Sequence, residues 1–88
     1  MSVCPWRAAK SAGLKELRRR VAELEKEIAG LETRQAQLTA ELEAPETYTE
    51  AGRPATLNRE LTGVVDRLHA ATAEWEAAAA ELEALEKA

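Results

Sequence analysis

Hydrophobic side chains recur along this chain in alternating steps of three and four residues. In the first half the series runs from Leu14 to Leu42, and Gln35 is its one polar member. In the second half the same alternation runs from Leu57 to Leu85. Such spacing places one apolar stripe along a helix, at the a and d positions of a heptad. The pattern therefore predicts two long helices, each with a single hydrophobic seam.

A polar stretch that contains Pro45, Gly52 and Pro54 separates the two series. Proline cannot donate the backbone hydrogen bond that a helix interior needs, and glycine gives the chain freedom to turn. If the chain folds back here, each a residue faces a d residue of the other helix, from Leu42 with Leu57 to Leu14 with Leu85. Every facing pair fits one register without a slip. The predicted fold is all-α, a two-helix antiparallel coiled-coil hairpin with a proline- and glycine-containing tip loop.

Boundaries follow from the same pattern. We expect a flexible leader or linker over residues 1–13 and the hairpin over residues 14–88. Within the hairpin, the first helix covers about 14–43, the tip about 44–54 and the second helix about 55–87.

Charged residues beside the seams favour the same register. Opposite charges meet across the helices if Arg20 reaches Glu74 or Glu81, Glu27 reaches Arg67, Arg34 reaches Glu60 and Arg18 lies near Glu86. Trp75 is predicted to be a core residue of the seam, with room provided by its small neighbours Ala71 and Ala78. Gly30 and Gly63 fall at outward positions, where they are either a tolerated cost, bending points or close contacts with a partner.

Composition narrows the class of protein. The chain has 88 residues, 32% of them charged and 3% aromatic, which is typical of a long helix or coiled coil. A chain this short buries little apolar surface, so help from a partner or a second copy is expected. The formal net charge of −4 gives no overall attraction to nucleic acid or to an anionic membrane. No apolar run is long enough to span a bilayer, and one cysteine with no apolar signal segment favours the cytoplasm.

The region from about Leu14 to Leu85 resembles the C-terminal coiled-coil domain of ABC-F ATPases, the Uup-like proteins. The similarity lies in the heptad helix "LKELRRRVAELEKEIAGLE", the tip "EAPETY" and the second helix ending near "EWEAAAAELEAL". Pro45, Tyr48 and Trp75 occupy positions of the family pattern. Ala44 replaces the usual aspartate of the tip, and Thr72 and Glu74 replace an aromatic residue and an arginine, which puts the family's second-helix cluster in doubt.

The resemblance implies a non-catalytic module that follows two ATP-binding cassettes and aids engagement of nucleic acid or the ribosome. The implied partners are DNA or ribosomal RNA and the cassettes of a parent protein, with a second copy as a further candidate and no membrane. The chain has no phosphate-binding loop of the G-x-x-x-x-G-K-[ST] type, so we expect no ATP hydrolysis and no cofactor. The alternative function is a structural coiled coil for dimerisation or protein docking.

Candidate nucleic-acid contacts come from two places in the sequence. At outward positions of the first helix, three cations are expected to stay free of internal pairing: Lys15, Arg19 and Lys26. A solvated helix face is the alternative interpretation of these cations. Near the tip, Arg53 and Arg59 accompany Tyr48, whose ring is expected either to pack on the end of the hairpin, the favoured interpretation, or to stack on bases.

Other chemistry is not indicated. His69 is the single histidine and has no cysteine or carboxylate array at metal-ligand spacing, so no metal site is expected. The glutamates lie on solvated helix faces rather than as a desolvated pair. We expect no concave pocket between two helices, and therefore no catalytic residues.

Overall fold

The computed structural model describes the backbone of residues 5–87 and the side chains of residues 13–87. Its elements are α1 (Pro5–Glu43), a short 3₁₀ helix (Pro45–Thr49) and α2 (Arg53–Lys87). Helix α2 returns along α1, and the part of the chain described here contains no strand. The predicted all-α helical hairpin is confirmed.

Helix α1 begins at Pro5, earlier than the predicted start at about residue 14. Proline suits the first turn of a helix, where its missing N–H would have no partner. The residues that follow are mostly good helix formers, and Gly13 alone costs about 1 kcal/mol relative to alanine. Residues 5–13, assigned to a flexible leader by the sequence pattern, are therefore helical in the structure. The rest of that leader, with Cys4, lies outside the described residues.

The core is the seam between the helices. Leu24, Leu38, Leu57 and Ala71 are at most 1% exposed, and Ala78 is 8% exposed. These residues come from both halves of the chain and all occupy predicted a or d positions. The remaining seam positions between residues 14 and 85, with Gln35 among them, are half-buried. A seam of two helices has no third helix to cover it, so most of its positions keep part of their surface in solvent.

Trp75 is only half-buried, although the sequence predicted it to lie in the core. Its indole Nε1 donates a hydrogen bond to Glu25 Oε1 at 3.1 Å, at the edge of the seam. The ring is too wide to fit between two helices, and its N–H requires a polar partner. Both requirements place the indole across the open flank of the seam instead of inside it.

A ladder of ion pairs closes the other flank. It joins g positions of the two helices: Arg20 with Glu74 at 3.3 Å, Glu27 with Arg67 at 2.7 Å, Arg34 with Glu60 at 2.9 Å and Glu41 with Arg53 at 3.7 Å. Each successive pair lies one heptad later on α1 and one heptad earlier on α2 than the pair before it. The first three pairs are those predicted from the sequence. Each exposed pair contributes little to stability, but the set fits only one register.

The turn is built around Gly52, whose φ of 80° lies in the left-handed region. Glycine reaches this region without the steric cost that a Cβ would bring. Pro45 opens the 3₁₀ helix, and Pro54 is the second residue of α2, both positions at which a missing N–H is tolerated. The predicted helix breakers therefore form the tip.

The hairpin is a narrow rod with extents of 74 × 16 × 15 Å. Its tip and its open end are consequently far apart. Within the described residues, neither helix combines the length and the apolar character needed to cross a membrane.

Glycine substitutions test this backbone. A Cβ at Gly30 or Gly63 would meet no atom within 4 Å, whereas Gly52 has a left-handed φ. We expect Gly30→Ala and Gly63→Ala each to stabilise the hairpin by about 1 kcal/mol, because alanine is the better helix former. Gly52→Ala should destabilise it by about 1–2 kcal/mol. Urea unfolding followed by circular dichroism measures all three. A loss of stability in Gly30→Ala or Gly63→Ala would contradict the described packing.

Candidate nucleic-acid interface

The three cations of α1 that were expected to lack internal ion pairs differ in their pairing. Arg19 Nη2 lies 2.7 Å from Glu16 Oε2, and Arg19 Nε lies 4.0 Å from Glu23 Oε1. The expectation that Arg19 escapes internal pairing is therefore wrong, because acids one turn away on its own helix reach it. Lys15 and Lys26 are exposed and form no ion pair with the side chains of residues 13–87.

The neighbouring arginines are neutralised across the seam, as the sequence indicated. Arg18 Nη2 lies 3.5 Å from Glu86 Oε2, and Arg20 belongs to the ion-pair ladder. The dense basic run of α1 thus contributes Lys15 and the more distant Lys26 to any external contact. Two separated lysines on a solvated face make a weak phosphate site.

At the tip, the ring of Tyr48 projects into solvent. Its side chain is 62% exposed, and its hydroxyl donates a 2.6 Å hydrogen bond to the carbonyl oxygen of Leu42. The favoured expectation, a ring packed on the end of the hairpin, is wrong. The hydroxyl is held at the end of α1 while most of the residue stays exposed. An exposed aromatic ring is available for stacking on a base.

The same segment caps the end of α1. The last carbonyls of a helix lack intrahelical partners. The hydroxyl of Thr47 donates to the carbonyl of Glu41, and that of Tyr48 donates to the next carbonyl, of Leu42. These two hydrogen bonds cap the end of α1, and the bond from Tyr48 fixes the position of its hydroxyl.

Two arginines follow the tip in the first turns of α2. Arg53 Nη2 is 3.7 Å from Glu41 Oε1, so Glu41 partly neutralises it. Arg59 is exposed and has no ion pair among the side chains of residues 13–87. Exposed acids also surround the tip: Glu43, Glu46 and Glu50. The tip therefore presents an aromatic ring and one unpaired arginine in an acidic setting.

The structure does not bring the candidate residues into one site. Lys15 precedes the end of α1 by a run of helix about 40 Å long, at 1.5 Å per residue. Tyr48, Arg53 and Arg59 form a tip group, and the lysines lie along the shaft of the rod. A single ligand contacts both groups only if it follows the length of the hairpin.

An apolar groove lies beside Trp75, where the sequence indicated that no pocket should exist. It has a volume of about 500 Å³ and is lined by Glu25, Ile28, Glu32, Leu68, His69, Thr72 and Trp75. The expectation was wrong because the indole lies across the flank and leaves space between itself and the neighbouring turns. The sequence contained an indication of this groove. Trp75 is a large seam residue beside the smaller Ala71 and Thr72, so its ring cannot fill the space on both flanks of the seam equally. His69 lines the groove, and residues 13–87 contain no cluster of potential metal ligands.

Within the ladder, Glu27 and Arg67 form a bidentate pair. The guanidinium donates from Nε to Glu27 Oε2 at 2.8 Å and from Nη2 to Glu27 Oε1 at 2.7 Å. This hydrogen bonding lowers the pKa of Glu27 below its ordinary value and raises the pKa of Arg67. Both groups stay charged, so this flank cannot offer a free cation to phosphate.

A comparison with known protein families matches most of the hairpin. The family model for the ABC transporter C-terminal domain matches residues 14–80, from the first leucine of the seam into the last turns of α2. The chain belongs to this family. Searches of curated proteins and of solved structures gave no match. This ABC transporter C-terminal domain is thus an accessory part of an ABC protein, and its described residues form the helical hairpin that the resemblance implied.

Removal of Arg67 tests the electrostatic description of this domain. A carboxylate with a lowered pKa stabilises the folded state above its unfolded pKa, and that contribution is lost as the pH falls through the folded pKa. We expect Arg67→Gln to raise the titration midpoint of Glu27 and to weaken the fall in stability below a pH of about 4.5. Carbon-13 NMR of the Glu27 carboxyl measures the midpoint. An unchanged midpoint would contradict the observed bidentate pair.

Proposed function

We propose that this domain is a non-catalytic accessory module of an ABC-F type ATP-binding protein and helps it engage ribosomal RNA or DNA in the cytoplasm. Membership of the ABC transporter C-terminal domain family supports the parent protein. The observation that carries the contact with nucleic acid is the exposed ring of Tyr48, anchored by its hydroxyl at the far end of a narrow rod.

The shape of the module suits this role. A rod 74 Å long carries its tip well away from the end where the chain enters it. The ring of Tyr48 needs an unpaired base on which to stack, so the preferred ligand is a single-stranded or looped segment. Arg59 adds one cation to the backbone of that segment.

The charges around the tip limit the type of contact. Glu43, Glu46 and Glu50 repel phosphate, so a broad electrostatic surface is absent from this end of the described chain. Binding by a ring with one or two cations should depend only weakly on salt. For a single strand we expect a slope of log affinity against log salt of about −0.7 to −1.4.

The second candidate, a structural module for protein docking or dimerisation, is favoured by a different observation. The apolar groove beside Trp75 is an accessible surface on the shaft of the rod, away from the tip. The two functions use different surfaces. The nucleic-acid binding measurements described next therefore distinguish between them.

Substitution of Tyr48 tests the proposed contact. We expect Tyr48→Ala to weaken binding to a labelled single-stranded RNA or DNA by about 5- to 150-fold, which corresponds to a loss of 1–3 kcal/mol of stacking. Tyr48→Phe keeps the ring but loses the hydroxyl that anchors it, so it should bind more tightly than Tyr48→Ala and more weakly than the native domain. Arg59→Gln should flatten the salt dependence, whereas Arg19→Gln should not, because Arg19 is paired with Glu16. Fluorescence anisotropy at two salt concentrations measures each variant.

Two results would contradict the proposal. Native domain that binds neither RNA nor DNA at low salt would favour the docking function. Undiminished binding by Tyr48→Ala would remove the tip from the interface and place the contact at Lys15 and Lys26.

A further inference from the structure

We propose that the groove beside Trp75 is a docking site for a basic segment of a protein partner, which inserts an arginine or lysine side chain against the indole. The groove lies on the flank of the hairpin opposite the ion-pair ladder. This inference concerns a different surface from the tip contact and does not depend on it.

The two flanks of the seam differ in what covers them. On the ladder side, long charged side chains from both helices meet and seal the seam. On the groove side, the corresponding positions of α2 next to the groove carry short side chains, all half-buried: Val65, Thr72 and Ala79. Toward the open end of the hairpin, Arg18 and Glu86 pair across this flank at 3.5 Å. Short side chains leave the apolar atoms of Ile28 and Leu68 accessible from this side. The seam is therefore open to a partner beside Trp75 on this flank.

The indole is held in place by the wall of the groove. Trp75 Nε1 donates to Glu25 Oε1 at 3.1 Å, which fixes the orientation of the ring. Tryptophan is the best side chain for binding a cation over its face. The groove thus combines a fixed aromatic surface with apolar walls that accept the aliphatic stem of an arginine or lysine.

The carboxylates of the groove have no internal cation. Glu25 and Glu32 line it one heptad apart, and neither forms an ion pair with the side chains of residues 13–87. Every glutamate of the ladder, in contrast, has an arginine partner. Glu76 is exposed on the adjoining turn of α2 and adds negative charge. A cationic group would complete the charge balance of this surface.

Charge also selects between possible occupants. Nucleic acid would bring phosphate to an acidic surface and be repelled. A second copy of the chain carries a net charge of −4 and would bring its own acidic groove to a symmetric contact. Complementarity therefore favours a positively charged partner segment, and a cavity of about 500 Å³ has room for a long cationic side chain.

The test uses two probes, N-ethylguanidinium and a helical alanine-rich peptide with arginine at every fourth position. Nitrogen-15 NMR follows the indole N–H of Trp75, which is distinguished from that of Trp6 by the spectrum of Trp75→Phe. The test variant is Glu25→Gln/Glu32→Gln, which keeps an oxygen acceptor for the indole. The matched control is Asp66→Asn/Glu81→Gln, which removes the same charge from exposed positions outside the groove.

The proposal predicts saturable shifts of the Trp75 indole with both probes. Affinity should fall at least ten-fold in the groove variant and less than two-fold in the control. The same peptide with glutamate in place of arginine should not bind. Equal affinities of the two variants, or no shift with either cationic probe, would overturn the proposal. So would a Trp75 signal that shifts with protein concentration alone, because a second copy would then occupy the groove.

Discussion

Two helices joined by a short tip can bury their leucines only if the chain turns at one place and returns in one register. That antiparallel seam is the constraint on which the other features depend. Leucines alone would tolerate a shift by a heptad, since a shifted seam still buries apolar side chains. The ladder of ion pairs and the cap on α1 remove this freedom, because both place specific partners at fixed positions.

The cap connects the fold with the proposed function. Thr47 and Tyr48 donate to carbonyls at the end of α1, and Gly52 completes the turn into α2. The same hydroxyl that terminates the helix leaves the ring of Tyr48 in solvent. An exposed aromatic side chain at the tip of a rod is consequently a product of helix termination, and its position is set by the backbone.

Charges divide the surface of the rod into regions of different electrostatic character. One flank is neutralised by the ladder, and the opposite flank keeps unpaired carboxylates beside the indole of Trp75. The tip has a ring and Arg59 among exposed glutamates. A net charge of −4 therefore does not describe any one of these surfaces, because the local charge of each depends on its own neighbours.

The seam and most of the ladder could be predicted from the sequence, because heptad position determines which side chains meet across two antiparallel helices. Heptad position could not predict which of several nearby partners a side chain contacts. Arg19 pairs with acids on its own helix, and the indole of Trp75 turns toward Glu25 instead of into the core. The hydroxyl of Tyr48 donates to a helix carbonyl, and this hydrogen bond leaves the ring exposed. Heptad spacing gives no information about such a bond.

The register of the hairpin is tested most directly by a distance between two spin labels in one molecule. Labels attached at Ala22→Cys and Glu76→Cys, in a Cys4→Ser background diluted with unlabelled chain, lie at the same level on neighbouring helices. The account predicts a separation of about 20–30 Å, because packed helices are 8–10 Å apart and the label arms add to that. Moving the second label to Arg59→Cys should add an axial offset of about 25 Å. A separation of about 80 Å for the first pair, as in one continuous helix, would contradict the hairpin.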